Sequence, residues 1–77
     1  MDEIKLGRYR HFKGKLYRVI GIGKNCENPD EEFVIYQALY KDDKFGDDQI
    51  WIREKKMFLE NVTIDGKEVA RFEFIGD

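Results

Sequence analysis

Apolar positions in this chain recur in short runs, and most of the runs alternate with polar residues. Alternation over four to eight residues, broken by Gly, Asn and Asp, predicts half-buried strands joined by turns. Residues 8–12 form a first such run, and Lys13-Gly14-Lys15 a turn in which Gly14 is free to take a positive φ. Residues 16–23 form a second, with Gly21 and Gly23 at alternate positions. That spacing marks a bend, a bulge or the close approach of another backbone. The stretch 24–31 is polar and contains Pro29, which predicts a loop, whereas 32–40 is apolar on both faces, the pattern of a central strand. A second polar loop, 41–48, leads into a short strand at 49–53, where Trp51 alternates with Ile50 and Ile52. Residues 54–60 are good helix formers but span barely two turns, enough for one helical or 3-10 turn that needs tertiary support. Val62-Thr63-Ile64, Asp65-Gly66 and a strand from Glu68 to Ile75 close the chain. Asp-Gly between apolar runs predicts a type I′ hairpin turn, which requires positive φ at both central residues.

This succession predicts an all-β domain: a small, strongly curved antiparallel sheet of five to six strands, SH3-like or a related partly open barrel, with one short helical turn near 54–60. A four- to five-stranded sheet with one packed helical turn is the alternative. The 77 residues make a single domain with its core within about 6–75. Hydrophobic residues are 42% of the chain and aromatic ones 14%. Large rings allow so short a domain a core without staples. Cys26 is the only cysteine, so no internal disulfide forms, which fits a reducing compartment. The start Met1-Asp2-Glu3 is acidic where a secretory leader is basic. The longest apolar runs fall far short of the roughly 20 residues needed to cross a bilayer. A cytoplasmic protein without membrane contact is the expectation.

Charge changes the picture more than composition does. The net charge of −2 conceals segregation: residues 4–24 carry Lys5, Arg8, Arg10, Lys13, Lys15, Arg18 and Lys24 and no acid. Residues 25–50 carry eight acidic side chains against Lys41 and Lys44. Either the two segments face each other across the fold, or the basic one awaits an electrostatic partner.

Candidate chemistry is sparse. His11, the only histidine, shares a strand face with Tyr9 and lacks a nucleophile or metal partner in sequence. Cys26 lies between Asn25 and Glu27, and only Lys24 could lower its pKa. The octave Asp42-Asp43-Lys44-Phe45-Gly46-Asp47-Asp48-Gln49 offers oxygen ligands without EF-hand spacing or a terminal Glu, so solvated turn carboxylates are the better reading. No zinc spacing, phosphate-cradling glycine loop or nucleophile elbow is present, and no catalytic residue, metal or cofactor is assigned.

The order Gly7-x-Tyr9-x-His11-x-Lys13-Gly14-x-x-Tyr17-x-Val19, Val34-x-Tyr36-x-x-Leu39-Tyr40, Trp51-x-Arg53, Met57-Phe58-x-Glu60 and Arg71-Phe72 resembles the small bacterial family known as domain of unknown function 1653. The resemblance covers about residues 6–75 and implies a compact, mostly β domain with no established activity. Family members typically carry His-Ser-Glu-Thr in the first long loop, where this chain has Asn25-Cys26-Glu27-Asn28, and Pro after Trp-x-Arg, where it has Glu54.

Three functional readings follow. The first is a non-enzymatic binding module for a protein or small-molecule ligand, using Tyr9, His11, Tyr17, Tyr36, Trp51 and Arg53. The second is nucleic-acid binding through the basic segment 5–24, with bases stacked on its aromatics; the acidic total charge opposes it. The third is an enzyme joining Cys26, Glu27 and His11 in a loop-bounded cleft, which requires the three to converge.

Overall fold

Strand register decides which of the alternating side chains share a face, and here it gathers nearly all the rings on one. The structure, a computed structural model, describes residues 4–42, 44 and 46–77. The acidic start Met1-Asp2-Glu3, and Asp43 and Phe45 of the acidic octave, lie outside the described residues. β1 (Gly7–His11), β2 (Leu16–Asn25) and β3 (Asn28–Ala38) form an antiparallel meander. The two-residue strands β4 (Lys41–Asp42) and β5 (Gly46–Asp47) pair with each other and lead to β6 (Ile50–Glu54). A single helical turn, α1 (Lys55–Phe58), precedes the hairpin β7 (Asn61–Ile64) and β8 (Lys67–Ala70) and the last strand, β9 (Phe72–Gly76). The main sheet runs β6-β3-β2-β1-β9, antiparallel throughout. The mostly β, curved architecture expected from the sequence is therefore present. β6 and β9 do not pair with each other, so the sheet stays open.

Opposed pairs Tyr9↔Tyr17, Val19↔Tyr36, Tyr36↔Trp51, Val34↔Arg53, Tyr9↔Phe74 and His11↔Phe72 put all these side chains on one face. In a flat sheet Phe72 and Tyr36 would stand three strand spacings apart, roughly 14 Å. Their ring centroids are 5.4 Å apart, so the sheet curls around this face. Bulges supply the curl: the register shifts between Arg8 and Tyr9 against β9 and between Val19 and Gly21 against β3. The second shift falls at the alternate glycines that the sequence marked as a bend.

Phe58 from α1 fills the concave side. Four residues cannot hold a helix by themselves, yet Phe58 is only 2% exposed. Its ring stacks on Phe72 at 4.2 Å and 4°, with the edges of Tyr9 and Tyr36 at 5.3 and 5.6 Å. Val19 and Val34 complete the buried cluster, with Ile4, Tyr17 and Trp51 packed against it.

Two segments depart from expectation in ways that matter for the site. Pro29 lies inside β3 rather than in a loop. The ladder jumps from Lys24↔Glu32 to Asn25↔Asn28, leaving Pro29, Asp30 and Glu31 without opposed residues, so the missing proline N–H costs no ladder bond. The β2–β3 turn is closed instead by Asn25, whose Oδ1 accepts the Glu27 N–H at 2.9 Å. The expected strand 68–75 is two strands in different sheets, broken at Arg71. There the Arg71 N–H donates to the Glu60 carbonyl and its carbonyl accepts from Phe12, so one residue ties the hairpin, α1 and β1 together. The Asp65-Gly66 turn has the expected geometry, with φ of 50° and 81°.

Two substitutions test this account. Gly7 has φ +135°, and a Cβ there would lie 2.9 Å from the Gly76 carbonyl oxygen. Gly7→Ala should destabilise by about 1–3 kcal/mol, the cost of a residue held in glycine-only backbone, read from the urea midpoint. Phe58→Ala should cost about 3–5 kcal/mol, enough to leave so small a domain largely unfolded at 37 °C by circular dichroism. Wild-type cooperativity in Phe58→Ala would show that α1 does not hold the curl.

Candidate functional site

Strand alternation splits the basic-aromatic segment in two. Tyr9, His11 and Tyr17 face the concave side, while Arg8, Arg10 and Arg18 face the convex side, Arg8 directly opposite Arg18. The charge segregation is only partly internal: Lys24 pairs with Glu32 across β2–β3 at 3.5 Å, and Arg10 with Glu73 at 3.0 Å. Lys5, Lys13 and Lys15 instead lie over the rings of Phe74, Phe12 and Tyr40, 4.7–5.8 Å from the centroids. Glu32 also meets Lys55 at 3.2 Å, and that hydrogen bond holds its carboxyl below the usual range.

All six sequence-derived binding candidates share the concave face, but at different depths. Tyr9 and Tyr36 are core residues, 6% and 5% exposed. The Tyr9 hydroxyl donates to the Lys5 carbonyl at 2.8 Å, and burial raises its pKa. Neither ring offers a free face, though the Tyr36 hydroxyl reaches the rim, where it accepts from Arg53 Nε at 3.3 Å. His11, Tyr17, Trp51 and Arg53 are half-buried and form the accessible part.

The Arg53 guanidinium lies over Phe72, 5.8 Å from the ring centroid, and has no carboxylate partner among the described residues. His11 sits edge-on to the same ring at 4.9 Å. Its Nδ1 accepts the Lys13 N–H at 3.1 Å, so the neutral imidazole carries its proton on Nε2. Burial first, then the charges of Arg53, Arg71 and Lys13, hold its pKa below 6.5. Tyr17 packs on Tyr36, Phe72 and Tyr40, and its hydroxyl shares a 2.8 Å hydrogen bond with that of Tyr40. Burial and that bond push the Tyr17 phenol far above its usual value, so its hydroxyl stays neutral. The result is a buried pair of rings, Tyr36 and Phe72, with the half-buried Tyr17 at its edge and Arg53, His11, Lys13 and Arg71 around it.

Beside this rim opens a cleft of about 530 Å³ between the β1–β2 turn and the β7–β8 hairpin, with His11, Phe12 and Gly14 facing Ile64, Val69 and Ala70. Another, of about 470 Å³, lies among Glu31, Glu32, Glu54 and Lys55 and includes none of the six candidates. Sequence reasoning missed Arg71 and Phe72 as site members. The Arg71-Phe72 pair belongs to the family resemblance, but its place beside His11 follows only from the pairing of β9 with β1.

Cys26, Glu27 and His11 do not converge. His11 bonds to Lys15 at one end of β2, and Cys26 follows Asn25 at the other, about 30 Å away for ten extended residues. A base must stand within hydrogen-bonding distance of its nucleophile. Nucleic-acid binding through residues 5–24 meets a related obstacle, since the arginines for phosphates and the rings for bases occupy opposite faces. Among the described residues no group of His, Cys, Asp and Glu could hold a metal ion, and no helix is long and apolar enough to cross a membrane.

Comparison with known proteins agrees with this fold. A crystal structure of a DUF1653 protein from Bordetella bronchiseptica is similar at a TM-score of 0.83 and 28% sequence identity, covering 99% of this chain and 92% of that one. No curated protein matches. The profile of the family described as "Protein of unknown function (DUF1653)" matches residues 7–74, and with the curled sheet and the concave aromatic face in place, the chain belongs to that family.

Proposed function

We propose that the chain is a non-enzymatic binding module that takes a small anionic ligand with a planar apolar part, such as an aromatic carboxylate, on its concave face. One observation carries this reading: the half-buried Arg53 guanidinium lies over the Phe72 ring beside His11, with no carboxylate partner among the described residues, and the charges of Arg71 and Lys13 add to its own. Like charges gathered beside low-dielectric walls repel one another until an anion joins them. Glu60 meets part of that need by pairing with Arg71 at 3.0 Å, and Arg53 is left to a ligand. The guanidinium fork matches a carboxylate, and the half-buried Tyr17 ring gives the ligand's plane a surface to pack on. Tyr17, Tyr40 and the His11 Nε2–H add neutral hydrogen-bonding groups that set orientation.

Sodium benzoate is a suitable probe, titrated at constant ionic strength while backbone and Arg Nε resonances are followed by NMR. Saturable shifts confined to His11, Tyr17, Arg53 and Phe72 are expected. Arg53→Gln should weaken binding about tenfold or more, the usual worth of a charge-assisted hydrogen bond. Shifts that do not saturate, or that map to Arg8 and Arg18, would refute the reading.

The lowered His11 pKa gives a second expectation. The folded state binds this proton less well than the unfolded chain, so stability should begin to fall as pH drops through about 6.5 and level off below the folded-state pKa. Thermal midpoints of wild type and His11→Gln between pH 7.5 and pH 4.5 should diverge in that window, the variant showing the flatter profile. Benzoate affinity should move oppositely, tightening as His11 gains its charge.

A further inference from the structure

The two edges of the main sheet are not alike. β9 carries a bulge against β1, which blunts an edge, whereas β6 pairs with β3 in unbroken register from Glu54 to Ile50. The Ala38 N–H donates to the Gln49 carbonyl, so along β6 the backbone groups of Gln49, Trp51 and Arg53 turn toward β3. Those of Ile50, Ile52 and Glu54 turn outward. The Ile50 carbonyl is met by the Gln49 side chain at 2.9 Å, but the Ile52 N–H and carbonyl have no partner among the described residues. Ile52 is also 66% exposed and Ile50 50%, with no Lys, Pro or bulge within the strand. These are the features that natural edge strands avoid unless they pair.

We propose that β6 pairs antiparallel with β6 of a second copy of this chain, joining the two five-stranded sheets across a two-fold axis. The sequence Ile50-Trp51-Ile52-Arg53-Glu54 is self-complementary about its centre. With the axis at Ile52, the two Ile52 residues exchange N–H···O bonds, and Trp51 of each copy stands opposite Arg53 of the other on the concave side, a cation–π pairing. On the convex side the two Ile52 side chains meet, with Ile50 of each copy beside Glu54 of the other. The interface satisfies the isologous condition, each contact occurring twice. Five residues a side bury less than a standard interface of about 1,600 Å², so the dimer is a weak one.

Sedimentation equilibrium of the full chain from about 10 μM to about 1 mM, the range suited to weak association, with amide hydrogen exchange at both ends, tests the proposal. A monomer–dimer equilibrium is expected, with Ile52 amide exchange slowing as concentration rises. Ile52→Lys, at an exposed position, should leave the thermal midpoint of the dilute protein unchanged and weaken dimerisation at least tenfold. Ile50→Glu carries the same expectation if that variant folds poorly. A monomer at every concentration, a dimer indifferent to Ile52→Lys, or a dimer whose Ile52 amide exchanges as fast as in the monomer would each overturn the proposal. The benzoate titration of Arg53→Gln at low concentration reads the concave face separately, so failure of one leaves the other standing.

Discussion

The stacked rings of Phe58 and Phe72, 4.2 Å apart, are the contact on which the remaining structure depends. A sheet needs a second layer to cover its apolar face, and among the described residues this chain supplies only one helical turn and the inward rings of its last strand. Phe72 arrives from the edge strand β9 and Phe58 from α1, and they meet over Tyr9, Tyr17 and Tyr36. Such convergence requires the curl, which the bulges permit and the ring packing rewards. The same contact holds α1 in place, since a four-residue helix has no stability of its own.

Curling also creates the candidate site. It brings Arg53 from β6 over Phe72 from β9, although four strand spacings separate their backbones. His11 and Arg71 join because β1 and β9 are paired there. Cations gathered at the edge of a buried ring cluster are therefore a by-product of closing the core with few residues, and positive charge is left beside low-dielectric walls. The opposite, convex face receives Arg8, Arg10 and Arg18 through the same alternation that sends the tyrosines inward.

Much of the fold was legible along the chain. Gly14, the Asp65-Gly66 turn, the single helical turn and the alternation around Trp51 each rest on local physics: backbone sterics at glycine, or side chains pointing to opposite faces of a strand. Pro29 misled because local rules cannot see a bulge that leaves it unopposed in β3. The break at Arg71 was hidden for a similar reason. Its N–H and carbonyl are taken by Glu60 and Phe12, residues far away in sequence, and nothing local marks it as a boundary. Of the site, the six concave residues were visible as types in the right phase, but their depths were not. Tyr9 and Tyr36 lie under Phe58, whereas His11, Tyr17, Trp51 and Arg53 reach the rim.

By itself, the sequence determined a mostly β fold, a single cysteine, a basic first third, and rings spaced to share a sheet face. Those properties are local or compositional, and any fold of the chain must respect them. Only the tertiary structure decided that the face is concave, that Arg53, His11 and Arg71 surround one ring, and that Cys26 lies a strand's length from His11. Each of these depends on which strands pair and how tightly the sheet curls. That choice is made by the long-range packing of Phe58 and Phe72, which no short window of sequence contains.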